Sequence, residues 1–108
     1  MAMYYLGVYY YTTREYNIME YYYNMGIKNN NSYSMYALAC YYKNFHINNK
    51  MMFKYYIMAI EHNNTAAMIS LADYFKYDNK NKYLRKKYYL MAIKLNDSYA
   101  IKQFHLYF

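Results

Sequence analysis

A chain of 108 residues has the length of one domain and enough apolar side chains to build a core without disulfides or metals. Hydrophobic residues make up 58% of it, yet the mean hydropathy is −0.44, because 22 residues are tyrosines, each an apolar ring with a polar hydroxyl. The net charge of +7 favours acidic partners, although an AT-rich coding bias towards Tyr, Lys, Asn, Ile and Met yields the same totals without selection for binding.

Cys40 has no second cysteine to pair with, so no intrachain disulfide forms, and a reducing compartment fits. The opening MAMYYLGVYY lacks a basic segment and a small-residue cleavage site, and no apolar stretch reaches the length of a bilayer span. An intracellular, cytoplasmic protein without a transmembrane segment is the expectation.

Along the chain, the first helical block carries YLGVYYY and returns as ALACYYK, SLADYFK and QFHLYF. These align Leu6, Leu38, Leu71 and Phe104 at spacings of 32, 33 and 33 residues. Its apolar columns are Met3/Met35/Met68/Ile101, the Leu6 column and Tyr10/Tyr42/Phe75/Phe108, spaced as on one face of a helix. A small-residue column, Gly7/Ala39/Ala72, admits a neighbouring helix closely. The second block runs YYNMGIKNNNS, YYIMAIEHNNT and YYLMAIKLNDS at a spacing of 33 residues. Its columns are Ile18/Met51/Leu84, Tyr22/Tyr55/Tyr88, Tyr23/Tyr56/Tyr89, Gly26/Ala59/Ala92 and Ile27/Ile60/Ile93. The residue missing from the first unit therefore falls between Thr12 and Asn17, in a loop.

Between blocks, Asn30/Asn63/Asn96 suit a left-handed C-terminal cap. Asn31/Asn64/Asp97 and Ser32/Thr65/Ser98 suit N-terminal caps of the next helix. The inner turns fall at residues 12–17, 44–49 and 78–81. No segment alternates as a half-buried strand does. The fold expected is all-α: one domain over residues 1–108, with helix-turn-helix units of about 1–32, 33–65 and 66–98, a half unit over 99–108, and seven helices.

These residues resemble the Sel-one-like repeat family, relatives of the tetratricopeptide repeats. AMISLADYF and KYYLMAIKLNDSYA carry the likeness most clearly, and it extends along the whole chain. The chain departs from the family at its turn glycine, here Asn30, Asn63 and Asn96, and at the basic residue after the aromatic pair, here Met25, Met58 and Met91. The resemblance implies a right-handed α-solenoid and adaptor or scaffold work in protein complexes. It also implies that the side of each A helix one residue beyond the Met column lines a concave surface. Those positions are Tyr4, Tyr36, Ile69 and Lys102, then Val8, Cys40, Asp73 and Leu106, then Tyr11, Lys43 and Lys76.

Catalysis is not expected. His46, His62 and His105 have no metal-ligand spacing, Cys40 stands in no nucleophile motif, and Gly7 and Gly26 occupy packing columns rather than a phosphate loop. No cofactor is expected either. The function expected is a non-catalytic scaffold that binds a protein or peptide, acidic or anchored by an aromatic residue. Tyr4, Val8, Tyr11, Tyr36, Cys40, Lys43, Ile69, Asp73 and Lys76 are its candidate contacts. The same rings equally fit packing against an adjacent repeat.

The alternative is an electrostatic binder of nucleic acid or an acidic membrane surface through Lys80, Lys82, Arg85, Lys86 and Lys87, with Tyr83 and Tyr88 as stackable rings. A solvated helix start outweighs a nucleic-acid patch there, since Tyr88 belongs to a core column. The face of the last half unit, with Ile101, Phe104 and Phe108, has no following B helix, which leaves end-to-end self-association open.

Overall fold

The computed structural model describes residues 2–77 and 81–108, which form seven helices and no strand. They are α1 (Ala2–Thr12), α2 (Tyr16–Lys28), α3 (Ser32–Asn44), α4 (Asn49–Glu61), α5 (Thr65–Tyr77), α6 (Lys82–Ile93) and α7 (Ser98–Tyr107). Two compact units hold them, Met1–Asn64 with α1 to α4 and Thr65–Phe108 with α5 to α7. Most of the expected third inner turn, Asp78, Asn79 and Lys80, lies outside the described residues.

The sequence repeat is a structural repeat at the level of the hairpin. In each A/B pair one aromatic ring of the A helix lies flat on one of the B helix: Tyr10 on Tyr22 at 5.5 Å and 8°, Tyr42 on Tyr55 at 6.0 Å and 8°, Phe75 on Tyr88 at 6.1 Å and 9°. The small columns let the backbones approach. At Gly7 a Cβ would strike the ring of Tyr23, and at Gly26 it would strike Ser34 Oγ. Ala39, Ala59, Ala72 and Ala92 are fully buried at the equivalent sites.

The junctions between hairpins also repeat. Asn30, Asn63 and Asn96 adopt φ of 60°, 60° and 62°, the left-handed conformation that asparagine tolerates better than other non-glycine residues. Each amide then reaches back, Asn30 to the Ile27 carbonyl, Asn63 to Ile60 and Asn96 to Ile93, while the following amide of Asn31, Asn64 or Asp97 reaches Gly26, Ala59 or Ala92. This double bond pattern satisfies the last carbonyls of the B helix. The carboxamide of Asn31 and the carboxylate of Asp97 then accept from the amides of Ser34 and Ala100, capping the next A helix. In the inner turns Asn48 and Asn81 cap α4 and α6 in the same way. The first inner turn differs: it is shorter, Arg14 takes φ of 63°, and the Glu15 side chain makes no cap.

Two columns sit elsewhere than the sequence suggests. In the B helices the buried seam passes through Met19 and Met52, both fully inaccessible, while Ile18 is 39% exposed and Met51 and Leu84 are half-buried. The physical reason is the four-residue step: Met19 and Met52 stand one turn before Tyr23 and Tyr56, the rings driven deepest into the hairpin. In the second unit this seam position is Arg85, one turn before the fully buried Tyr89. The Leu6 column also breaks at its first member. Leu38 and Leu71 are buried, but Leu6 is exposed, because α3 has helices on two sides whereas α1 packs on α2 and lightly on α3. At α7, which packs on α6, Ile101 and Phe108 remain accessible, as a half unit requires.

Candidate partner-binding groove

Within the first unit, α1 and α3 stand apart over α2 and leave a groove of about 300 Å³. The wall on α1 is Tyr4, Val8 and Tyr11, one residue per turn. The opposite wall on α3 is Tyr36, Cys40 and Asn44 with Ala37 and Tyr41, and Phe45 follows at the helix end. Met19 and Tyr23 of α2 form the floor. Five of the nine positions read from the sequence as a concave face, Tyr4, Val8, Tyr11, Tyr36 and Cys40, thus converge on one cleft. Lys43 is half-buried on α3 outside it.

Ring contacts tie the walls and floor of the cleft to one another and to Tyr16 and Tyr33. Tyr11 meets Phe45 edge to face at 5.5 Å, Tyr16 braces Tyr41 at 5.4 Å, and Tyr4 is bracketed by Tyr23 at 6.2 Å and Tyr33 at 5.8 Å. Among the described residues, none of those that line it is charged.

The floor tyrosine differs from its two counterparts. In the second hairpin the Tyr56 hydroxyl lies 3.6 Å from Cys40 Sγ, and in the third the Tyr89 hydroxyl donates to Asp73 Oδ1. The residue in step with Cys40 and Asp73 in the first hairpin is Val8, which neither donates nor accepts. Tyr23 is 96% buried by area with its ring against Gly7 of α1, and among the described residues its hydroxyl makes no hydrogen bond, although the oxygen is not sealed from the groove. Burial first, then the neighbouring Tyr4, Tyr11 and Cys40, pushes its ionisation far above the usual phenol range, so it remains a neutral donor.

In the second unit the matching positions are engaged by the chain itself. Asp73 accepts from Tyr89 of α6 and, at 3.3 Å, from Tyr99 of α7. The Lys76 ammonium donates to Gln103 at 3.2 Å and lies 4.1 Å from the Tyr107 ring centre. Ile69 is half-buried on α5. Sequence reasoning missed this docking because it depends on α7 folding back onto α5 and α6.

The basic run divides as well. Arg85 lies beneath α7, 4.9 Å from the Phe108 ring and 5.1 Å from Tyr107, and among the described residues its buried Nε has no hydrogen-bond partner. Lys82 and Lys86 approach Phe108 at 5.7 and 5.9 Å, and Lys87 lies over Tyr88 at 5.6 Å. Lys80 lies outside the described residues. Of the two rings proposed to stack bases, Tyr83 is exposed and Tyr88 is buried.

Among the described residues no group of three or more His, Cys, Asp or Glu stands close enough to hold a metal ion, and no helix is long and apolar enough to cross a membrane. No family model, curated protein or solved structure matches this chain, so its assignment rests on its own repeat and geometry.

Proposed function

We propose that this chain is a non-catalytic binding module of Sel-one-like repeats, arranged as a right-handed α-solenoid, which takes a short segment of a partner protein into the groove of its first unit. One observation carries this reading: five side chains spaced along two A helices converge on an uncharged cleft whose floor presents a hydroxyl without an internal partner. That hydroxyl makes no hydrogen bond to any described residue and is not sealed from the groove, so it is free to donate to an acceptor on a ligand seated above it. The uncharged aromatic walls favour an apolar or aromatic anchor, with a backbone carbonyl or side-chain acceptor facing Tyr23.

Selection of displayed peptides on the wild-type chain, followed by calorimetric titration of the enriched peptides, tests the proposal. Tyr36→Ala is expected to weaken binding at least about tenfold and Tyr23→Phe about three- to tenfold. Enriched peptides whose affinity is indifferent to both substitutions would place the binding surface elsewhere and overturn the reading.

A further inference from the structure

Residues 65–108 carry eight of the thirteen Lys and Arg but three of the six Asp and Glu, so the positive charge is concentrated in the second unit. Within it, α6 holds Lys82, Arg85, Lys86 and Lys87 and no acidic residue, and Lys94 caps its end. The corresponding helices of the other hairpins each carry a carboxylate, Glu20 in α2 and Glu61 in α4. Cations in the first turns of a helix face its positive end and repel it, an arrangement that an approaching anion relieves.

The outer side of α6 is not a uniformly hydrated basic face. Tyr83, Lys86, Lys87, Leu90, Met91 and Lys94 follow one another at helical spacing around a concavity of about 530 Å³. Tyr83 is 75% exposed and Leu90 39% exposed, with lysines on either side. Lys87 and Lys94 stand two turns apart, about 10.5 Å along the axis. An extended chain spans that distance in about three residues.

We infer that α6 is a second docking surface, which recognises an acidic segment of another protein: carboxylates about three residues apart pairing with Lys87 and Lys94, and an apolar side chain between them seated on Leu90 and Met91. Two other anionic surfaces fit less well. A nucleic-acid backbone would pair with the lysines but leave the apolar floor uncovered and find one exposed ring, Tyr83, to stack on. An anionic bilayer takes up a helix whose apolar residues form one continuous face, whereas here Leu90 and Met91 are flanked by Lys86, Lys87 and Lys94. This surface is separate from the groove of the first unit and does not depend on it.

The test uses the full chain and a fluorescein-labelled peptide of sequence GEELFDEG, with its amide counterpart GQQLFNQG as control, by fluorescence anisotropy at physiological salt. The acidic peptide is expected to bind at least about tenfold more tightly than the amide form. Lys87→Glu with Lys94→Glu is expected to abolish that difference, and Leu90→Ser to weaken binding about three- to tenfold. Lys28→Glu with Lys54→Glu, an equal change of charge on the first unit, should leave affinity within about twofold. Equal binding of the two peptides, or equal losses from the two charge-reversal pairs, would overturn the proposal. So would tighter binding of single-stranded RNA or of phosphatidylserine vesicles that depends on Lys87 and Lys94 but not on Leu90.

Discussion

Three tyrosines in step, Tyr23, Tyr56 and Tyr89, occupy the same buried position, but their hydroxyls have different surroundings: none that bonds, a cysteine sulfur and an aspartate. Replacing the hydroxyl by hydrogen therefore has different consequences at the two ends of this series. Tyr89→Phe removes a bond to a carboxylate and should destabilise the fold by about 1–3 kcal/mol in urea denaturation. Tyr23→Phe removes a group with no internal partner and should change stability by less than about 0.5 kcal/mol while still weakening the ligand. A large stability loss at Tyr23 would mean that its hydroxyl serves the fold and not a partner. Ser34 Oγ is a buried group without a partner among the described residues, set against Gly26, where the two later junctions have alanines at both corresponding sites, Ala59 with Ala67 and Ala92 with Ala100.

At the scale of the element, helix ends are the most sequence-determined feature. The asparagines at 30, 63 and 96 were legible as left-handed caps because few residue types combine that conformation with a following N-cap. At Asn63, exchange for glycine should leave stability within about 0.5 kcal/mol, whereas Asn63→Ala should cost about 1 kcal/mol, as read from denaturation midpoints. Equal effects would remove backbone conformation as the reason for the asparagine. Helix number was legible for a related reason, since it follows from local spacing, whereas the periodicity gives the ring columns but not which A-helix ring stacks on which B-helix ring. The seam through Met19 and Met52 was not legible: Ile18 and Met51 have the same apolar character one residue away, and a column of single letters does not specify which member faces two helices at once. Arg85 was read as part of a charged patch because the sequence does not reveal that its site matches a buried methionine in the other hairpins. Of the candidate groove, periodicity groups Tyr4, Val8 and Tyr11, and Tyr36 and Cys40, on one side of their helices, while the concavity of that side comes from the family resemblance. The floor was not legible, because Tyr23 had already been assigned to the core.

For the molecule as a whole, the abundance of buried phenols sets its behaviour in alkali. Burial, and then Glu20, pushes Tyr42 up to about 12, and Tyr23 and Tyr89 are displaced upwards further. A phenol raised above its unfolded value near 10 holds its proton in the folded state where the unfolded chain has released it. Its contribution is complete below pH 10 and is lost as pH rises through the folded value. Thermal midpoints should therefore stay level from about pH 7 to 9 and fall steeply from about 10 to 12, and Tyr42→Phe should remove part of that fall. A midpoint unchanged through pH 11 would contradict the burial on which the shifts rest. The joints between hairpins carry a different consequence. Because Asn31 and Asp97 each complete the end of one helix and cap the beginning of the next, the linker has no spare residue. A single insertion there would undo two helix ends together, whereas the inner turns already differ in length between the first and second hairpins. Length variation, and any loop grafted to add a new contact, is therefore confined to the inner-turn edge.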